Sequence, residues 1–248
     1  MLRRLISLLC LPLLFAGGLA TADLKTAIEA AMASDIRSAD ERARDENRKP
    51  LETLTFFRLR EDMRVLELLP GGGWYTKILA PVLKDNGKLY TSIGTTSVAA
   101  LVADGTLSGV EVIEAKGEFK RDESSRRFYI DGLNIGVKDL DLVLTFRNLH
   151  NFTERGRKDL NDQTFKALKS GGLYGVVDHT RRHMQPDYHE NWRRMDPVQM
   201  IKEIEAAGFE FVDYADLHYR PDDTLEYEVG RKTVTGNTDR FTLLFRKP

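Results

Sequence analysis

From residue 64 onward, short apolar runs alternate with segments whose apolar positions recur at helical spacing. Val65, Leu66 and Leu68 belong to the first run, at 64–69. A helix is expected over 74–83, with Ile78, Leu79 and Val82 facing inward, ending near Asn86-Gly87. Strands are expected at 88–93, closed by Gly94, and at 110–113, with a short helix starting at 95–101 between them. Residues 115–138 are a polar excursion with room for a small hairpin at 128–130. A fourth strand, 141–146, leads to a helix over 156–168 that stops at Ser170-Gly171-Gly172. A fifth strand at 173–177, a helix at 197–207 stopped by Gly208, and strands at 209–215 and 240–246 complete the pattern. The last two strands are expected to be antiparallel.

Strand and helix alternate five times. That repetition predicts a mostly parallel sheet with helices on both faces. Such sheets bind ligands beyond the carboxyl ends of their central strands. One edge should therefore collect the first-strand exit (67–73), the fourth-strand exit (147–151) and the fifth-strand exit (Asp178, His179).

The first exit reads Glu67-Leu68-Leu69-Pro70-Gly71-Gly72-Gly73-Trp74-Tyr75. An acid, three glycines and a helix start make a turn in which backbone can approach a ligand closely. By mechanism alone it is a nucleotide or cofactor turn, or a tight turn without a ligand.

The N-terminus departs from this pattern. Arg3 and Arg4 precede an apolar run at 5–15, followed by Ala20-Thr21-Ala22. A basic start, a short apolar centre and a small-residue site predict a secretory signal peptide, 1–22, cleaved after Ala22; the alternative is an uncleaved anchor, for which the run is short. The expected location is periplasmic or secreted, with no stable membrane insertion after cleavage. Cys10 is the only cysteine and lies in that segment, so a mature chain has no disulfide, thiolate nucleophile or cysteine zinc site. Residues 23–59 follow as an N-terminal helical cap before the main domain at 60–248. Their dense charge run, 38–50, is either a solvated face or a cap folded over the site. With a net charge of −1 there is no electrostatic case for nucleic acid.

With these motifs in place, residues 60–248 resemble the class I S-adenosylmethionine-dependent methyltransferases. Glu67-Leu68-Leu69-Pro70-Gly71-Gly72-Gly73 is similar to the family's acid and glycine turn. Lys88-Leu89-Tyr90 is similar to its second strand, 141–146 to its fourth, and Leu168-Lys169-Ser170-Gly171-Gly172 to the turn before its fifth. Pro70 to Thr76, Thr145 to Asn151 and Thr238-Asp239-Arg240-Phe241 together resemble a group of exported bacterial predicted methyltransferases. The resemblance implies a Rossmann-like class I methyltransferase fold, α/β, with a seven-stranded mostly parallel sheet, an antiparallel last strand and helices on both faces. The chain departs from the family at Leu69, which replaces its first glycine. It departs again at Ile93, where the acid ending strand two normally stands. No Asn-Pro-Pro-aromatic sequence follows strand four, which argues against base-amine acceptors.

The resemblance implies S-adenosyl-L-methionine as cofactor, held by Glu67, Pro70, Gly71, Gly72, Gly73, Tyr75, Ile93 and Arg147. It implies catalytic roles for His150, Asn148 and Asn151. Acceptor contacts fall to Asp178, His179, Trp192 and Arg193. Each has a plainer alternative: packing for Tyr75, capping for His150, loop hydrogen bonds for the asparagines, and a surface ion-pair cluster for 192–196. Asp239 and Arg240 are expected to be structural. The histidines at 179, 183 and 189 are irregularly spaced, and no metal site is expected. The function implied is methyl transfer to a small-molecule acceptor. The alternative is an exported, non-catalytic ligand-binding protein of the same fold. An NAD-dependent oxidoreductase fits less well, because strand two lacks its acid. Oligomeric state is not legible.

Overall fold

The structure, a computed structural model, describes residues 17–248. Most of the expected signal peptide therefore lies outside the described residues. Among the described residues no helix is long and apolar enough to cross a membrane.

Four helices come first: α1 (Gly17–Ala33), α2 (Ala39–Ala43), α3 (Asp45–Arg48) and α4 (Pro50–Phe56). Ser38 caps α2 in a reciprocal capping box with Glu41, and Pro50 opens α4 at a position where its missing N–H costs nothing. Arg37 is fully buried and grips Asp45 and the carbonyls of Met32 and Glu41, which fastens the charged segment in place.

The main unit follows as β1 (Arg64–Leu68), α5 (Thr76–Leu83), β2 (Lys88–Ser92), α6 (Thr96–Ala103) and β3 (Val110–Ile113). The polar excursion is a separate two-stranded antiparallel ribbon, β4 (Lys116–Arg121) with β5 (Phe128–Asn134), longer than the expected hairpin. Then come β6 (Leu140–Phe146), α7 (Glu154–Ala167), β7 (Leu168–His179), α8 (Pro197–Ala206), β8 (Glu210–Ala215) and β9 (Arg240–Arg246). The fifth strand starts earlier than expected. Leu168 already pairs with Leu140, and the sheet passes through Ser170-Gly171-Gly172 with a register shift in place of a plain turn.

The large sheet runs β3-β2-β1-β6-β7-β9-β8. Pairings from β3 to β7 are parallel, and β9 is antiparallel to both neighbours. Successive residues of a strand point to opposite faces. Val65, Leu142 and Leu144 accordingly join Ile28, Leu54, Phe57, Ile78 and Leu79 on the face covered by α1, α4 and α5. Leu66, Val143 and Tyr174 join Leu160, Met200 and Ile204 under α7 and α8. The N-terminal helices thus share a core with the main unit. Phe57 lies so close to β7 that a Cβ at Gly175 would meet its Cγ at 2.7 Å.

Candidate functional site

Three central strands end alike. Leu69, Ile93 and Arg147, each the first residue beyond β1, β2 and β6, have φ of +52°, +64° and +62°. Non-glycine residues enter this left-handed region at a cost, and a β-branched one such as Ile93 does so rarely. Such strain clusters at functional sites. Leu69 adopts the positive φ that glycine would take at its position. The replacement noted in the sequence changes the residue while keeping the turn. Its N–H donates to the carbonyl of Ser92 at 3.0 Å.

The turn beyond Leu69 is open to ligand. Gly71 (φ +56°) and Gly72 are exposed, and a Cβ on either would meet nothing within 4 Å. Gly73 (φ +80°) has a different task. A Cβ there would lie 3.3 Å from Val98 Cγ2, so it lets α6 approach. Pro70 is buried and its carbonyl accepts the N–H of Gly73 at 3.0 Å.

Glu67 sits just behind the turn. Its Oε2 accepts the Thr76 hydroxyl at 2.6 Å. No cation pairs with it among the described residues, and burial pushes its pKa up from 4.5 to about 7, against the opposing Thr76 hydrogen bond. A buried carboxyl without a counter-charge fits a cationic ligand group.

Trp74 and Tyr75 bind protein. Tyr75 stacks on Phe146 with centroids 3.6 Å apart and donates its hydroxyl to the Arg48 carbonyl. The Trp74 indole donates to the Glu41 carbonyl at 2.9 Å, beneath the guanidinium groups of Arg48 and Arg37. The expected cofactor contact of Tyr75 is therefore a clamp between the turn and the N-terminal helices.

A cavity of about 510 Å³ opens beyond β6, β7 and β9. Its walls include Arg147, His150 and Asn151 from the β6 exit, His179 from the end of β7, and Thr238 and Arg240 at the start of β9. Arg44, Asn47 and Arg48 close it from the N-terminal side. His150 is buried on a short turn of 3₁₀ helix, Leu149–Asn151. Its Nδ1 lies 2.6 Å from Asp178 Oδ1, and its backbone N–H donates to Asp178 Oδ2 at 3.1 Å. A carboxylate there selects the tautomer with the proton on Nδ1, which leaves Nε2 free to accept one. His179 Nδ1 pairs with the Thr238 hydroxyl at 2.9 Å. Burial, then the nearby His150 and arginines, push the His179 pKa well down, so this ring is neutral.

The structure gathers some expected site residues and separates others. Arg147, His150, Asn151, His179 and Arg193 share the cavity. Asp178, expected to touch the acceptor, is fully buried and engaged by His150. Asn148 braces the β1 exit, its Nδ2 donating to the Leu69 carbonyl at 3.2 Å. Arg193 is ion-paired with Glu228, and Trp192 lies in a separate depression beside Arg126 and His189. Ile93 lines a second, smaller cavity of about 130 Å³ with Gly94, Ile113 and Phe119. His183 and His189 pair with Asp196 and Glu190, away from His179.

Sequence reasoning missed one contributor. Arg240, expected to be structural, faces the cavity, while Asp239 holds the backbone N–H of Arg220. Arg44, Asn47 and Arg48 come from the charge run, for which a cap folded over the site is one of the two expectations. An arginine at the first residue of an otherwise apolar strand is the one local signal that could have flagged Arg240.

The strand order, with β9 as the reversed member, defines the α/β Rossmann-like methyltransferase fold. An S-adenosylmethionine-dependent methyltransferase from Aquifex aeolicus superposes with a TM-score of 0.59 at 16% identity, covering 91% of this chain and 97% of that one. Human N-acetylserotonin methyltransferase, solved with its S-adenosylmethionine, gives 0.54 at 16% identity, over 94% of this chain and 60% of that one. The [4+2]-cyclase SpnF gives 0.54 at 18% identity, over 91% of this chain and 93% of that one. At these identities the likeness is one of fold. No protein-family model and no curated protein matches the chain.

Proposed function

We propose that this protein is an S-adenosylmethionine-dependent methyltransferase acting on a small-molecule acceptor, with His150 as general base. The observation that carries the reading is the His150–Asp178 pair, which lines a cavity at the same edge of the sheet from which the glycine turn leaves β1. Gly71 and Gly72 offer uncovered backbone, and Glu67 offers an unpaired carboxyl to an ammonium group. S-adenosylmethionine, when bound, supplies an electrophilic methyl group on a sulfonium. His150 Nε2 accepts the proton of an acceptor hydroxyl, and Asp178 holds the ring and stabilises the imidazolium that forms. Methyl transfer otherwise demands mainly alignment. Arg147 and Asn151 provide it from the same exit.

The N-terminal helices act as a cap over this edge. The finer assignment is to an exported bacterial group, working in the periplasm or outside the cell after removal of residues 1–22. The basic start and the Ala20-Thr21-Ala22 site support it.

Calorimetric titration with S-adenosylmethionine and S-adenosylhomocysteine tests the reading. Micromolar binding of both is expected. Affinity no better than millimolar for either would sink it.

A further inference from the structure

Four arginines face one cavity, and no carboxylate is paired with any of them among the described residues. Arg44, Arg48, Arg147 and Arg240 all line it, and none forms an ion pair, whereas Arg193 on the same wall is neutralised by Glu228. Asp178, whose charge acts on Arg147, spends both oxygens on His150 and on the His179 backbone. Arg240 is 6% exposed. Its Nη1 donates to the Asn47 carbonyl at 2.8 Å, but its Nε has no partner. Burial and the adjacent Arg147 lower the Arg240 pKa to about 10. Burial and Arg44 likewise lower that of Arg147.

Unpaired buried charge is expensive, and like charges held together raise the cost. Elsewhere the chain meets that cost with acids: Arg194 is fully buried and bidentate to Asp223, and Arg157 is bidentate to Glu203. The cavity arginines lack this arrangement. Their planar donors suit phosphate and carboxylate oxygens.

We propose that this cavity binds the methyl acceptor through an oxyanion group, so that the acceptor is a small phosphate- or carboxylate-bearing molecule. That the bound molecule is the methyl acceptor rests on the function proposed above. The arginines neutralise the oxyanion and hold the hydroxyl of the same molecule against His150.

The test uses the full chain at matched ionic strength, with inorganic phosphate and malonate as separate titrants, read by thermal shift and calorimetry. A rise in Tm with saturable binding is expected for one of them, and which one binds distinguishes phosphate from carboxylate acceptors. Arg147→Gln should weaken that binding about tenfold or more. Arg44→Gln, at an exposed position that cannot endanger folding, should weaken it less. Anion binding that persists under saturating S-adenosylhomocysteine supports a separate acceptor site. Competition between the two would overturn it, by assigning the arginines to the cofactor's own carboxylate. S-adenosylhomocysteine binding with no anion binding overturns this inference alone. Anion binding with no S-adenosylhomocysteine binding overturns the cofactor reading and with it the name of acceptor, while the oxyanion site in the cavity stands.

Discussion

Asp178 holds His150 at two points: one carboxylate oxygen meets the ring Nδ1 at 2.6 Å, and the other accepts the backbone N–H at 3.1 Å. The pair joins the exits of β6 and β7, so the position of the ring is set by the sheet itself. Asp178→Ala removes both acceptors from a buried site and should cost about 2–4 kcal/mol. Urea denaturation measures it. A cost under about 0.5 kcal/mol, the scale of surface substitutions, would show that the pair is not held as described.

Glu67 ties stability to pH. Its pKa is raised from 4.5 to about 7, so the folded protein binds this proton more tightly than the unfolded chain does. Stability is then highest below the unfolded value and is lost as pH rises through the folded one, by about 3 kcal/mol in all. Glu67→Gln should match wild type at pH 4 and exceed it at pH 8. The same variant should bind S-adenosylhomocysteine more weakly. Denaturation at the two pH values, beside calorimetry, separates the effects. Equal stability differences at both pH values would contradict a desolvated carboxyl.

Gly71 separates turn from ligand. Its φ of +56° makes Gly71→Ala cost about 1 kcal/mol in backbone strain, while the open space around it removes any clash. The fold should survive and cofactor affinity should fall. Unchanged S-adenosylhomocysteine affinity would place the ligand elsewhere.

Trp74 anchors the helices that precede β1. Its ring lies 4.3 Å from the Arg48 guanidinium and 4.8 Å from that of Arg37, and its N–H reaches the Glu41 carbonyl. Trp74→Ala should destabilise by about 3–5 kcal/mol. Hydrogen exchange should rise first at 38–49, ahead of the central strands. Uniform acceleration would argue against a locally anchored cap.

The elements of the main unit were legible because each is written locally. The run 110–113 and the run 240–246 read as strands from apolar content alone, and they are β3 and β9. The glycine turn was legible for the same reason, since Gly71 and Gly73 stand where positive φ is required. Leu69 and Ile93 were legible only as departures. Their left-handed backbone is imposed by the strands they leave, and nothing in either side chain asks for it.

The candidate site was half legible. His150 and Arg147 follow a strand end, which periodicity can locate. The partnership of His150 with Asp178 spans 28 residues of sequence and depends on β6 lying beside β7. The arginine-lined wall is less legible still. Arg44 and Arg48 precede the first strand, whereas Arg240 opens the last one. By itself, the sequence determined the alternation of strands and helices, the glycine turn and the residue types at the strand ends, because those depend on neighbours along the chain. Only the tertiary structure decided which charges meet without a counter-charge. That depends on helices from one end of the chain packing over strands from the other, where burial removes the water that would otherwise screen them.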